Sequence, residues 1–207
     1  MSATVEGPDI RCVAVVLGAA RPFGAEIVAR LRNDGLRVVA VADGSLEGVT
    51  DVEEIGICVV NTPVELRGIA FRDLSEEDFR EALEPQLYDL VAAGQWAASR
   101  MRSGGCIVHV ASKAHLGSWG GAHHMAAGGA LVAVGRSMAL EFDAAGIRVN
   151  TVATDFAGSM DDDPETRRYV AATVAWLAGP DSAAVSGETI LANRGRSLRL
   201  PPPRRPA

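Results

Sequence analysis

The chain has 207 residues, of which 48% are hydrophobic, and it carries a net charge of −6 at pH 7. That length and composition indicate one folded domain with its own core and exclude a disordered chain, and the negative charge argues against nucleic acid as the main partner. No apolar run reaches the roughly 18 residues that a membrane span requires, and the first residues do not resemble a signal peptide. We therefore expect a cytoplasmic protein without a membrane partner, with buried reduced thiols and no metal site at its cysteines, Cys12, Cys58 and Cys106.

The first sixty residues predict a β-α-β unit followed by a third strand. Arg11–Leu17 is a continuous apolar run typical of a buried strand, and Gly18 to Gly24 forms the turn. A helix begins over Ala25–Leu31, and Leu36–Ala42 and Ile55–Val60 are the next strands. A strand, a helix and a strand within about thirty residues predict a parallel sheet.

Two helices are predicted between the third strand and residue 102. Ser75 is expected to cap a short helix, with Asp78 as its reciprocal capping partner. Pro85 suits the first turn of a second, longer helix that runs to about Arg102.

The remaining elements alternate strand and helix to the end of the domain. They are strand Cys106–Ala111, helix Ala122–Phe142, strand Ile147–Ala153, helix Pro164–Leu177 and strand Glu188–Leu191. The fold class is therefore α/β, a single doubly wound parallel sheet flanked by helices. We expect an N-terminal tail over 1–10, one domain over 11–195 and a mobile Pro- and Arg-rich tail over 196–207.

Ser112, Met125 and Gly129 follow one another at intervals of thirteen and four residues. Further along lie GIRVN at Gly146–Asn150 and VSGETILANRG at Val185–Gly195. With the turn that begins at Gly18, these segments resemble the short-chain dehydrogenase/reductase family over essentially 11–195. The resemblance implies a Rossmann-like fold and chemistry with a nicotinamide cofactor.

In that family a Ser steadies the substrate oxygen, a Tyr thirteen residues later is the general acid/base, and a Lys four residues further lowers the pKa of the Tyr. The resemblance assigns Ser112 to the Ser position, but Met125 and Gly129 stand at the Tyr and Lys positions. Gln86 falls at the position of the family's catalytic Asn. Lys113 is the chain's only lysine, and we expect it to turn away from the site rather than replace the missing Lys.

The nucleotide-binding loop is also altered. The family's middle glycine, which lets the backbone approach the pyrophosphate, is Pro22 here, so a backbone donor is lost. Asp43 stands where an acidic residue would hold the ribose and favour NAD over NADP. The resemblance thus implies no cofactor or a weakly bound NAD(P), with contacts from Gly18, Arg21, Gly24, Asp43 and Asn61.

Two family segments are shortened. Only about a dozen residues separate the second strand from Ile55, where the family places further helices and a strand, and the substrate lid after Phe156 is reduced. The PG that closes over the nicotinamide is replaced by Thr154-Asp155, whose carboxylate would be unfavourable beside phosphate.

Three functions are compatible with these changes. The first, which the joint loss of several site residues favours, is a non-catalytic pseudoenzyme that forms a homo- or hetero-oligomer with an active paralogue. The second is a non-redox isomerase, cyclase or lyase that binds a small molecule and uses His124 and Ser112, with His123 alongside. The third is a residual NAD(P)-dependent oxidoreductase that relies on Ser112 and bound water.

Overall fold

The computed structural model describes residues 13–46, 49, 52–62, 68–117, 120–155 and 163–198. The N-terminal tail assigned to 1–10 lies outside these residues, as do Cys12, Trp119 and most of the tail assigned to 196–207. The first three residues of that tail, Arg196–Leu198, form a short 3-10 helix.

In the part of the chain that the structure describes, six strands form one parallel sheet in the order β2-β1-β3-β4-β5-β6. Apolar side chains on both faces of the central strands explain why they lie inside the molecule. The strands are β1 (Val13–Leu17), β2 (Arg37–Val41), β3 (Ile55–Asn61), β4 (Met101–Ser112), β5 (Arg148–Thr154) and β6 (Thr189–Leu191).

Among the described residues, four α-helices cover the two faces of the sheet. They are α1 (Gly24–Asn33), α2 (Glu76–Ala98), α3 (Ala122–Phe142) and α4 (Pro164–Ala178). Helices α1 and α4 pack into one hydrophobic cluster with the sheet, and α2 and α3 pack into the other. The predicted doubly wound α/β sheet is confirmed.

The connection from β2 to β3 is short, as predicted. Its described residues form neither helix nor strand between Val41 and Ile55. Asp51 in this connection and the shortened lid over 156–162 lie outside the described residues.

The predicted break at Pro85 is wrong, because α2 is one helix of 23 residues with Pro85 inside it. The capping box of Ser75 and Asp78 is present at its start. Buried residues on both sides of the proline, including Ala82 and Leu90, pack α2 against the sheet, and this burial outweighs the cost of the missing amide donor.

Helix α3 and the short 3-10 helix after it, Ala122–Ala145, form a segment long and apolar enough to span a membrane by length and composition, which the sequence prediction had not noted. Leu131 and Met138 nevertheless lie in the cluster that α3 shares with α2 and the sheet, which is the packing of a core helix.

Candidate active site

Polar side chains are buried where three neighbouring strands end. Asn61 ends β3, Ser112 ends β4 and Thr154 ends β5, and all three are at most 2% exposed. Ser112 and Thr154 are partners in the register of the two strands. Ligands of doubly wound sheets bind at this carboxyl edge, so the predicted Ser112 occupies the expected place.

Each of these side chains keeps a buried polar atom without a hydrogen-bond partner in the described part of the chain. The atoms are Asn61 Oδ1, Ser112 Oγ and Thr154 Oγ1. Unpaired buried polar atoms are costly in a folded protein, and a row of them at a sheet edge indicates a place for a polar ligand.

The Tyr and Lys positions lie one turn apart on α3. Met125 is half-buried, and its thioether neither donates nor accepts a proton in catalysis. Gly129 is exposed, and a side chain added there would meet no atom within 4 Å. Gly128 differs, because its face packs directly on Ala114 and His115 after β4.

Lys113, Asp155 and Arg196 form a buried ionic triad beyond the ends of β4 and β5. Lys113 Nζ lies 2.6 Å from Asp155 Oδ1, and Arg196 Nη2 lies 2.6 Å from Asp155 Oδ2. The Asp155 carboxylate, only 2% exposed, therefore has two cationic partners. The sequence did not predict these two partners, which lie 42 and 41 positions away from Asp155 in the chain.

Three histidines lie around the start of α3. The rings of His123 and His124 are 4.0 Å apart, and His123 also meets the ring of Phe79 edge-on. The third, His115, follows Ser112 by three residues, and burial together with Arg136 lowers its pKa. The 3-10 helix Lys113–Leu116 directly follows Ser112, and it contacts α3 through Gly128, one turn after His124.

Gln86 lies in the middle of α2, and its side chain is turned back onto its own helix. Gln86 Nε2 donates to the carbonyl of Ala82 at 3.0 Å, while Gln86 Oε1 is buried without a partner among the described residues.

The loop after β1 uses most of its backbone donors within the protein. The amides of Gly18, Ala19 and Ala20 donate to carbonyls at the end of β2, and the amide of Arg21 donates to the Gly18 carbonyl. Pro22 has no amide hydrogen. Fewer donors are therefore left for a phosphate than a glycine-rich loop of this kind usually offers.

Arg21 and Asn61 brace this loop against the rest of the sheet edge. Arg21 Nη2 lies 3.1 Å from Asp89 Oδ2 on α2, and Asn61 Nδ2 donates to the carbonyls of Gly18 and Pro22 at 2.9 Å. Gly18 and Gly24 are required by close packing, because a Cβ at either position would overlap backbone atoms. Asp89 gave no signal in the sequence, since an acidic residue on a helix is ordinarily a surface residue.

Asp43 is exposed after the end of β2, and Asp43 Oδ1 accepts from the amide of Ser45 at 3.0 Å. Its carboxylate thus already stabilises a local turn.

His109 is a buried residue of β4. Its Nε2 lies 2.7 Å from Thr62 Oγ1, and burial lowers the pKa of His109 to about 4. His109 is therefore a neutral interior residue.

No cluster of three metal-ligating side chains occurs among the residues that the structure describes. Asp163, the described member of the run of three aspartates Asp161–Asp163, caps α4 by accepting from the amide of Thr166 at 2.7 Å.

A cavity of about 740 Å³ lies at the opposite, amino edge of the sheet, between the ends of α1 and α4. None of the site residues described above lines it.

A family model described as enoyl-(acyl carrier protein) reductase matches residues 46–162 of this chain. The chain is 31% identical over 180 residues to (2S)-((R)-hydroxy(phenyl)methyl)succinyl-CoA dehydrogenase subunit BbsD of Thauera aromatica, covering 77% of this chain and 72% of that protein. It is 26% identical over 235 residues to 3-oxoacyl-(acyl-carrier-protein) reductase FabG of Vibrio cholerae, covering 88% of this chain and 96% of that protein.

Solved structures agree with these relatives. A short-chain dehydrogenase/reductase from Serratia marcescens superposes with a TM-score of 0.74 at 25% identity, covering 87% of this chain and 94% of that one. The angucycline C-6 ketoreductase LanV with bound NADP superposes with a TM-score of 0.73 at 22% identity, covering 91% of this chain and 96% of that one, and this second likeness shows the fold alone.

These relatives correct the expectation of a non-catalytic partner protein. The curated relatives are named as reductases and dehydrogenases, and the matching family model is that of a reductase. The family model matches more than half of the sequence, and the BbsD relative is 31% identical over 72% of its own length. This chain therefore belongs to the short-chain dehydrogenase/reductase family.

Proposed function

We propose that this protein is an NAD(P)-dependent oxidoreductase that acts on a carbonyl or hydroxyl group of a small molecule. The observation that carries the proposal is the buried polar edge formed by Ser112, Thr154 and Asn61, whose unpaired atoms lie where members of the family bind their ligands. The reductase and dehydrogenase names of its relatives support the same reaction class.

The residues fit a nicotinamide cofactor at one end better than at the other. Ser112 Oγ and Thr154 Oγ1 supply unpaired polar atoms at the ends of β4 and β5. At the phosphate end, Pro22 lacks a donor and the amides from Gly18 to Arg21 are already used. These residues therefore fit a dinucleotide that binds weakly, because its phosphates would receive few hydrogen bonds from the loop.

NAD is the favoured form of the cofactor. The exposed carboxylate of Asp43 follows β2, the place where an acidic side chain binds a ribose hydroxyl and repels a phosphate. Arg21, the cation of the loop, is already paired with Asp89 at 3.1 Å and is not free to balance an additional phosphate.

In the reaction we assign to this site, Ser112 Oγ holds the substrate oxygen by a hydrogen bond. A bound nicotinamide supplies or accepts the hydride. Neither the thioether of the half-buried Met125 nor Gly129, which has no side chain, can transfer a proton to the substrate. The open space beside Gly129 leaves room for water. The proton therefore comes from water or from another residue of this chain.

Transfer of deuterium tests this function. The protein is incubated with NADH deuterated at C4 and a panel of ketones and 3-oxoacyl thioesters, and the alcohol products are analysed by mass spectrometry. We expect deuterium at the carbinol carbon, and we expect Ser112→Ala to lower the rate by about 10- to 100-fold. Absence of labelled product across the panel at saturating cofactor would contradict the proposal.

A second candidate is a non-redox enzyme that uses histidine as its base, with His124 and Ser112 as the first candidates. The observation that favours it is the group of three histidines, His115, His123 and His124, around the start of α3, with the rings of His123 and His124 4.0 Å apart. Exchange of substrate hydrogens with deuterated water in the absence of any nicotinamide is expected only for this second function. The loss of that exchange in His124→Ala would assign the base.

We further propose that the chain assembles, with itself or with a related chain, through the outer faces of α2 and α3. Tyr88 on α2 is 76% exposed and Leu140 on α3 is 81% exposed, whereas large apolar side chains are more often covered. Light scattering of the wild type and of Leu140→Glu tests this assembly. A monomeric wild type would exclude self-association.

A further inference from the structure

We propose that Lys113 is a catalytic residue that gives its proton to the substrate oxygen in place of the missing tyrosine. This inference rests on the proposed oxidoreductase function. It concerns a residue that the sequence alone had assigned to a turn leading away from the site.

The position of Lys113 is the first argument. It directly follows Ser112, whose Oγ is unpaired at the end of β4, and its side chain is 24% exposed. The side chain is not turned into bulk solvent, because its ammonium nitrogen is held 2.6 Å from Asp155 Oδ1. Asp155 in turn follows Thr154, the register partner of Ser112, so the Lys113–Asp155 pair directly follows the Ser112–Thr154 pair at the carboxyl edge of the sheet.

The charge balance of the triad is the second argument. Arg196 already compensates Asp155, because Arg196 Nε donates to Asp155 Oδ2 at 2.8 Å and Arg196 also donates to Thr166 Oγ1 at 3.0 Å. One buried carboxylate thus faces two cations, so Asp155 does not depend on Lys113 alone for its compensation. The positive charge of Lys113 at this edge of the sheet can therefore stabilise negative charge that develops on a substrate oxygen.

The remaining hydrogen-bonding capacity is the third argument. An ammonium group has three donors, and Asp155 is the partner of Lys113 within the described part of the chain. Two donors therefore remain for a ligand. By contrast, the guanidinium of Arg196 is 13% exposed and is used within the protein.

In the reduction that we propose, a bound reduced nicotinamide would supply the hydride to the carbonyl carbon, and the π-electrons of the carbonyl would move to its oxygen. An N–H bond of Lys113 breaks as the O–H bond of the alcohol forms, and the nitrogen keeps the electron pair. The resulting amine takes a proton from water, to which the side chain remains accessible, and the ammonium is restored.

Amine modification tests the location of Lys113, because it is the only lysine in the chain. The wild type is methylated with formaldehyde and borohydride with and without NADH, and peptide mapping separates Lys113 from the N-terminal amine. We expect NADH to slow modification of Lys113 at least threefold and to leave the N-terminal amine unchanged. Equal modification of Lys113 with and without bound NADH would overturn the inference.

Three variants test its chemistry. Lys113→Met removes the ammonium and its proton. Lys113→Arg keeps the charge and the ion pair, but a guanidinium gives up no proton at neutral pH. Arg102→Met is the control, because Arg102 is 81% exposed at the opposite edge of the sheet. We expect both Lys113 variants to lose about 100-fold in turnover while the dissociation constant for NADH changes less than threefold. Thermal unfolding verifies that the variants fold. We expect them to fold because Arg196 still pairs with the buried carboxylate of Asp155.

The outcomes separate this inference from the function on which it rests. Full turnover by Lys113→Arg would show that Lys113 contributes charge alone, and full turnover by Lys113→Met would remove it from the reaction. In both cases the oxidoreductase function would stand. A wild type that neither binds NADH nor reduces a ketone would overturn the function and the inference together.

Discussion

At the scale of single residues, two adjacent glycines of α3 have different physical roles. A Cβ at Gly128 would lie 2.6 Å from the Cβ of Ala114 and 2.9 Å from the amide nitrogen of His115, whereas a Cβ at Gly129 would meet no atom within 4 Å. We expect Gly128→Ala to destabilise the protein by about 1–3 kcal/mol through overpacking. Gly129→Ala serves as the matched control and should stabilise it by up to about 1 kcal/mol, since alanine favours the helix. Urea unfolding measures both, and equal effects would contradict the assigned packing.

The buried His109 makes stability depend on pH. Burial lowers its pKa from 6.5 to about 4, so the unfolded chain binds more protons than the folded chain between these two values. Stability should therefore rise with pH through this window and be lost as the pH falls, by roughly 3 kcal/mol in total. The lowered pKa of His115 acts in the same direction.

Unfolding by urea at several values from pH 4 to pH 7 measures this dependence. The control is His109→Gln, which keeps a polar group beside Thr62 but does not titrate in this range. A slope that is as steep in the variant as in the wild type would assign the effect to other groups.

The spacing of the sequence motifs located some site residues but not their partners. Ser112 lies at the end of β4, and Met125 and Gly129 lie in the first half of the next helix, as their spacing predicted. The partners of Asp155 and Arg21 were not predictable, because Arg196 and Asp89 reach them from 41 and 68 residues away. Such pairs depend on tertiary packing rather than on local pattern.

At the scale of elements, α2 shows how burial overrides a local signal. Pro85 lies inside a helix that continues for thirteen residues beyond it, whereas Pro164 lies in the first turn of α4. We expect Pro85→Ala to stabilise the protein by about 1–3 kcal/mol, because an amide donor returns and the ring no longer crowds the preceding turn.

Pro164→Ala is the matched control, since a proline in the first turn lacks no hydrogen bond, and its effect should stay below about 1 kcal/mol. Thermal unfolding compares the two variants. A loss of stability in Pro85→Ala would show that the proline ring itself contributes to the packing of α2.

The order of the elements was predictable, and their lengths were less so. Continuous apolar runs revealed the buried strands, and the Ser75–Asp78 pattern identified the start of α2 correctly. Neither the continuous helix across Pro85 nor the start of β4 at Met101 was predictable from local pattern, because both depend on what the segments contact.

At the scale of the whole molecule, the two ends of the candidate site differ. The end near Ser112 has unpaired polar atoms and the ammonium of Lys113, while the loop near Gly18 has its donors occupied within the protein. If the protein is the oxidoreductase that we propose, these features predict that it holds its cofactor mainly by the nicotinamide end.

Titration of the purified protein with NADH and with NADPH, followed by fluorescence and calorimetry, tests this account most directly. We expect NADH to bind with a dissociation constant between about 0.1 and 5 mM, and NADPH to bind more weakly because of Asp43. Absence of binding by either cofactor at about 10 mM would contradict the oxidoreductase function and leave the histidine-based chemistry as the function to test.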